Sequence, residues 1–271
     1  MKISIVTLSF NQCSYLEECI LSVLSQDYCD WELIIVDPGS TDLSRNIALS
    51  YARRDPRITV IFEQDSGPAE GLNKGFARAT GEIVACLNSD DYYLKSTFKE
   101  VQSSFDRYPE ADCIYSHGLI LKNQKFKFQS SDKFNIKRYF SNRGLVLQQA
   151  TFFRKSSLDM MNLKFNIQNK TSWDGELLID LASYGGKFVK VLGNWGVFRI
   201  HSDSITGSER LSTQTKFDHL RILNNQLSLG MKFSLIDKLF MVIPLYSGYR
   251  RIRNQLLTLL WKLSRIFKND M

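Results

Sequence analysis

Four largely apolar runs, Ile3–Leu8, Trp31–Val36, Ile58–Phe62 and Glu82–Leu87, each end in a cluster of polar or acidic residues, and helical stretches separate them. No other feature constrains the fold as tightly. Strands alternating with helices of about a dozen residues pair in parallel, and the helices cover both faces of the sheet. Ligands of such a sheet bind beyond the carboxyl ends of its strands. All four polar clusters fall there, so the pattern predicts an α/β fold with a nucleotide pocket along one edge.

The connecting segments carry their own signals. Ser14-Tyr15-Leu16-Glu17 fits a capping box opening a helix with Leu16, Ile20, Val23 and Leu24 on one face. Thr41 can cap a helix running to about Arg53, and Pro68 opens another at a position where a missing N–H costs little. A further helix, Ser96–Tyr108, leads to a strand at Asp112–Ser116. Beyond it the alternation stops. Leu119–Gln129 reads as a hairpin or irregular strand pair, Gln148–Arg154 as a short strand and Trp173–Tyr184 as a helix. Lys187–Val191 and Trp195–Ile200 read as two more strands.

Composition excludes several classes. The 271 residues are 44% hydrophobic and 23% charged, ordinary values for a globular chain able to bury a core. Five scattered cysteines without a C-x-x-C pair argue against a disulfide framework or zinc site, and Cys19 and Cys86 read as core fillers. The N-terminus runs straight into a strand pattern with no signal-peptide features, and no apolar stretch is long enough to span a bilayer. The net charge of +7 is uneven: from Met231 onward eight basic residues face two acids. The basic balance therefore points at the tail, and no nucleic-acid partner is expected.

Asp90-Asp91 closes the fourth strand. Adjacent carboxylates raise each other's pKa, an awkward arrangement unless a divalent cation sits between them and a diphosphate. A solvated turn, with Asp90 capping the next helix, is the plainer alternative. The wider pattern bears on that choice. Val6-Thr7-Leu8-Ser9-Phe10-Asn11, Ile34 to Asp42, Asp65-Ser66-Gly67 with Asn73-Lys74-Gly75, and Ala79-Thr80-Gly81-Glu82 leading to Asn88-Ser89-Asp90-Asp91 occur in order. Gln148-Gln149-Ala150-Thr151-Phe152-Phe153-Arg154 and Trp173-Asp174-Gly175-Glu176 follow. Together they resemble the family-2 glycosyltransferases with the GT-A fold. The likeness is close over about residues 2–120, weaker to about 205 and absent from the tail.

The resemblance implies a Rossmann-like, mostly parallel sheet with helices on both faces, with residues 1–117 as a nucleotide-sugar-binding half and 118–210 as the acceptor-binding half of the same domain. Residues 211–271, beyond the likeness, read from their own pattern as a C-terminal helical tail that is basic and amphipathic. Thr7, Ser9, Asn11, Asp37 and Asp65 would hold the nucleotide, most often UDP. Asp90 would face the ribose or metal shell, Asp91 would touch Mn²⁺ or Mg²⁺ directly, and His201 would approach the diphosphate or metal. Asp174 matches the family's catalytic base in an inverting displacement; alone, it could equally cap its helix. Gln148, Gln149 and Trp173 would line the acceptor pocket, and Arg199 would steady a phosphate or form an ordinary ion pair. Two departures stand out. Pro38 replaces an acid that meets the base edge in many relatives, and Asn88 replaces the first acid of the metal motif.

The tail repeats apolar residues at Tyr249, Ile252, Leu256, Leu259/Leu260, Leu263 and Phe267 with basic residues between them, the pattern of a cationic helix lying on an anionic membrane. Packing on the domain or on a second copy of the chain is the alternative. A membrane-surface enzyme at the inner face of the cytoplasmic membrane, acting on a lipid-linked or growing glycan, is the expectation. A nucleotide-sugar-binding protein without turnover would share these motifs. A sugar-1-phosphate nucleotidyltransferase would carry a Gly-rich basic loop after the first strand, where Ser9-Phe10-Asn11-Gln12 stands instead.

Overall fold

A computed structural model describes residues 1–202, 204, 211–242 and 250–261. One sheet organises them. Strands β1 (Ile3–Leu8), β2 (Trp31–Val36), β3 (Ile58–Ile61) and β4 (Ile83–Asn88) lie in the order β3-β2-β1-β4, all parallel. The sheet continues through β8 (Thr151–Arg154), β6 (Cys113–Lys122), β9 (Phe188–Ile200) and β5 (Tyr92–Tyr93), with β7 (Lys125–Gln129) paired to β6. This second part mixes directions: β8 runs antiparallel to both β4 and β6, whereas β6 and β9 are parallel.

The first four strands are apolar on both sides because helices cover both sides. Alternate residues go to opposite layers. Ile3, Ile5, Leu33, Ile35, Ile83, Ala85 and Leu87 join one buried cluster with α1 (Cys13–Leu24) and α4 (Thr97–Arg107). Val6, Ile34, Val36, Val84 and Cys86 join the other with α3 (Pro68–Arg78) and α7 (Trp173–Ser183). Each fully buried Leu or Ile contributes about 1.5–3 kcal/mol relative to exposure. A Cβ on Gly75 of α3 would sit 2.2 Å from Val6 Cγ1, so only glycine lets this helix lie so close to β1.

Several local expectations change in the fold. No capping box opens α1: its N-cap is Gln12, without a side-chain cap, and Ser14 lies inside the helix. The free N–H groups at that end donate instead to Asp42 Oδ2 and Ser44 Oγ, each at 2.9 Å, from the loop after β2. The helix α2 (Ser44–Ala52) starts three residues past Thr41. The expected pair of strands, Lys187–Val191 and Trp195–Ile200, is one strand with a register shift opposite His117. The hairpin is confirmed: β6 and β7 join through Asn123 and Gln124, both at positive φ, as a two-residue turn of this twist requires.

The tail divides into two kinds of helix. Helix α8 (Ser212–Ser228), within the segment expected as the tail, buries Asp218, Ile222 and Gln226 against the main body. After α9 (Leu235–Val242), α10 (250–261) lies against the β6–β7 hairpin. Asn254 Oδ1 accepts from Ser130 Oγ at 2.7 Å, Thr258 Oγ1 accepts from Phe128 N–H at 2.9 Å, and Leu257 and Trp261 pack on Leu119, Phe128 and Val197. Arg250 and Arg253 both reach the buried Asp132, at 3.0 and 2.9 Å. The opposite face is apolar and open: Ile252, Leu256, Leu259 and Leu260 are 61%, 59%, 56% and 61% exposed. Tyr249, Leu263 and Phe267 of the same stripe lie outside the described residues. Among the described residues no helix is long and apolar enough to cross a membrane.

Candidate active site

β1 lies between β2 and β4, so the chain order reverses at its side and a crevice opens where Leu8 and Asn88 end neighbouring strands. A cavity of about 590 Å³ occupies it, bordered by Leu8, Gln12 and Asp90 on one side and by Gln148, Trp173 and Asp174 on the other. The carboxylates of Asp90 and Asp174 thus share one space, though 84 positions separate them in the sequence.

The two adjacent acids divide their work. Asp90 faces the cavity, and its Oδ2 stands 3.1 Å from His201 Nε2, whose ring packs on Tyr15 at 4.5 Å between centroids. Asp91, expected to touch a metal directly, is enclosed instead. Its Oδ2 accepts from Gln149 Nε2 at 2.6 Å and its Oδ1 from the Arg199 N–H at 2.8 Å. Burial, and then the neighbouring charge of Asp90, push the Asp91 carboxyl well above the usual carboxylate range. Gln149 borders the cavity, but its amide nitrogen is committed to Asp91 rather than to an acceptor. Arg199 forms the ion pair: its Nε donates to the Asp90 carbonyl at 2.9 Å and its guanidinium pairs with Glu18.

Among the described residues no three His, Cys, Asp or Glu side chains gather into a self-sufficient metal site. Asp90 borders the open volume, and His201 Nε2 stands against it as a second donor. That suits a hard divalent cation whose shell is completed by water and phosphate oxygens, and the imidazole favours Mn²⁺ over Mg²⁺.

Asp174 is the second residue of α7, where helix N–H groups favour negative charge. Burial pushes its carboxyl above the ordinary range, while the N–H groups of Gly175 and Asp174 itself act in the opposite direction. A Cβ on Gly175 would meet Tyr139 Oη at 2.2 Å, so glycine admits the Tyr139 ring beside the acid. Residues far along the chain fix this corner. Asp218 Oδ2 accepts from the Lys170 N–H at 3.0 Å, the Thr171 N–H at 3.1 Å and Thr171 Oγ1 at 2.8 Å. Arg221 donates to both oxygens of the buried Glu176, at 2.8 and 2.6 Å, and the amides of Asn166 and Asn169 complete its shell. Asn73 of α3 binds the backbone of Phe165 in both directions, at 2.8 and 2.9 Å. Tyr15, Asp218 and Arg221 were not foreseen, because nothing near them in sequence marks them.

The expected nucleotide residues stand along the same edge but do not border this cavity. Thr7 and Ser9 are buried at the tip of β1. Asn11 ties loops together: its Oδ1 accepts from the Thr41 N–H and its own N–H donates to Ser40 Oγ, each at 2.9 Å. Asp37 Oδ1 accepts from the N–H groups of Gly39 and Ser40 at 2.9 and 2.7 Å. Asp65 Oδ1 accepts from the Gly67 N–H at 3.0 Å, and burial raises its carboxyl. Ser9 Oγ, Asp37 Oδ2 and Gln148 Oε1 are among the buried oxygens that have no partner among the described residues, a cost that a ligand donor would remove.

Comparisons with known proteins give the family and the fold. The sequence model described as Glycosyl transferase family 2 matches residues 4–167. The putative teichuronic acid biosynthesis glycosyltransferase TuaG of Bacillus subtilis (strain 168) is 39% identical over 115 residues, covering 42% of this chain and 44% of its own. Glycosyltransferase GlyG of Streptococcus pneumoniae serotype 4 is 34% identical over 105 residues, covering 37% and 35%. The matched stretch therefore spans less than half of either relative. Among solved structures, S. aureus TarS in complex with UDP-GlcNAc superposes with a TM-score of 0.63 at 20% identity, covering 75% of this chain and 60% of that one. The mannosyltransferase PcManGT from Pyrobaculum calidifontis, in complex with GDP-Man and Mn²⁺, gives 0.64 at 16%, covering 87% and 66%. Both share the fold.

Proposed function

Because this chain belongs to glycosyl transferase family 2, we propose that it transfers a sugar from a nucleotide carrier to an acceptor hydroxyl with inversion at the anomeric carbon. The observation that carries this reading is the single cavity bordered by Asp90 and Asp174 at the carboxyl edge of the sheet. Structural neighbours bound to UDP-GlcNAc and GDP-Man support a nucleotide-sugar donor. UDP is the proposed carrier, with Asp37 Oδ2 and Ser9 Oγ as acceptors for donors on its base or ribose.

Asp90 and His201 are the proposed holders of Mn²⁺ or Mg²⁺. Bound there, the cation would neutralise charge on the departing nucleoside diphosphate. Asp91 acts through others: clasped by Gln149 and Arg199, it keeps the backbone that presents Asp90 in place. Asp174, its carboxyl raised by burial, takes the acceptor proton as the oxygen attacks opposite the leaving group. Gln148 Oε1 and Trp173 position the acceptor. The acceptor itself is proposed to be lipid-linked or part of a growing bacterial surface glycan. The exposed apolar stripe of α10 and the basic excess of the tail fit an anionic membrane surface.

The test is a panel of nucleotide sugars monitored for diphosphate release, with and without EDTA. Release with a UDP-sugar that EDTA abolishes supports the reading. Uptake of UDP without any release across the panel and a range of glycan acceptors would instead identify a binding protein.

A further inference from the structure

A second cavity, of about 1000 Å³, lies between the β6–β7 hairpin and α10. Ile120 and Gln129 border both this groove and the cavity of Asp90 and Asp174, so the two adjoin. Lys125, Lys127, Arg250 and Arg251 line it, and among the described residues no Asp or Glu does. Phe126, Phe128 and Trp261 supply its apolar walls. Arg250 is held at 3.0 Å by Asp132, a buried carboxylate that Arg253 shares, so that acid leaves the groove strongly positive. On the far side of the same helix lies the open stripe of Ile252, Leu256, Leu259 and Leu260.

We propose that this groove is the acceptor's path into the active site and that it holds the acceptor by the diphosphate joining the glycan to its lipid. The proposal rests on the transferase reading above. Four cations set against the single buried Asp132, itself shared with Arg253, select an anion, and low-dielectric aromatic walls strengthen that selection. A helix whose outer face lies in the membrane interface keeps the groove on its inner face at headgroup depth, where a lipid diphosphate sits. The sugar end then passes Ile120 and Gln129 to reach Asp174.

The experiment uses farnesyl diphosphate as the probe, titrated into the full chain in EDTA without nucleotide, so that no cation links it to Asp90. The wild-type protein should bind it, with affinity falling as salt rises. Lys125→Glu/Lys127→Glu/Arg251→Glu should weaken binding by at least about tenfold, the sum of three reversed exposed charges. Lys125→Arg/Lys127→Arg, which keeps the charge, should bind like wild type, and unchanged melting temperatures confirm that the variants fold. Undiminished binding by the charge-reversed protein overturns the proposal. So does equal affinity for uncharged farnesol or for inorganic pyrophosphate, or tighter binding of a galacturonate trisaccharide, which would make a glycan carboxylate the occupant. Titration of UDP with Mn²⁺ reads the donor side separately: its failure sinks the transferase reading and leaves a diphosphate-binding groove standing.

Discussion

The two sides of the active cavity are assembled by different means. On the donor side, backbone pairing does the positioning: β1, β2 and β4 are buried on both faces, and Asp37, Asp65 and Asp91 each accept backbone N–H groups close to the strand tips. On the acceptor side, Asp174 is held in place by side chains from elsewhere, chiefly Asp218 and Arg221 of α8 and Asn73 of α3. A contiguous run of strands and helices can complete the first. The second is complete only once α8 has docked. Substitutions in the second half of the chain should therefore impair transfer more than donor binding.

The largest expected effect comes from the acid on which the two sides converge. Asp174→Asn should lower kcat by about 10²–10⁴ while nucleotide affinity stays unchanged. Its carboxyl is raised by burial, so ionisation of Asp174 weakens the fold at pH values above that raised pKa. The variant should thus melt no lower than wild type at pH 7, and the acid limb of the wild-type rate profile should lie above the usual aspartate value of about 3.9. Wild-type turnover in this variant would move the base elsewhere.

Arg221→Met comes next. It leaves Glu176 buried without its bidentate partner, which should cost about 3–5 kcal/mol in urea unfolding. The donor-to-acceptor contrast predicts that kcat falls further than UDP affinity in the protein that remains folded. Equal losses would break the contrast.

Glu32, at the amino end of β2 and away from the cavity, offers a counterpart among the parallel strands. Burial acts against its charge, but Ser4, the Thr80 N–H, Lys2 and the Thr80 hydroxyl hold its pKa down at about 2. A lowered carboxylate stabilises the fold above its unfolded value of 4.5, and that contribution disappears as pH falls through about 2. Glu32→Gln should then cost about 1 kcal/mol at pH 7 after solvent screening, and almost nothing at pH 2, by chemical denaturation at both values. A loss independent of pH would assign the effect to packing instead. The smallest stability effect is expected on the open face of α10. Leu256→Ser/Leu260→Ser should stay within about 0.5 kcal/mol of wild type yet lose sedimentation with anionic vesicles. Unchanged sedimentation would remove the membrane from the acceptor side.

The same contrast explains what could be read from the chain beforehand. Continuous apolar runs and polar tips located β1 to β4 because those strands are specified locally, and Pro68 acted through its own backbone. The caps of α1 could not be read, since Asp42 and Ser44 reach it from about thirty residues away. Nor could the bulge that joins Phe188–Ile200 into one strand, because its partner across the sheet sets it. The resemblance gives Asp91 the direct metal contact, whereas the fold turns Asp90 toward the cavity and encloses Asp91 among Gln149 and Arg199.

That enclosure is reciprocal. Asp91 grips the main chain of Arg199, and the Arg199 side chain grips the main chain of Asp90 in return. The strand tip carrying the acid and the segment carrying His201 are buttoned together twice, so neither can drift without the other. A cation bound as proposed would meet two donors already held together, and little of its binding energy would go into ordering the chain.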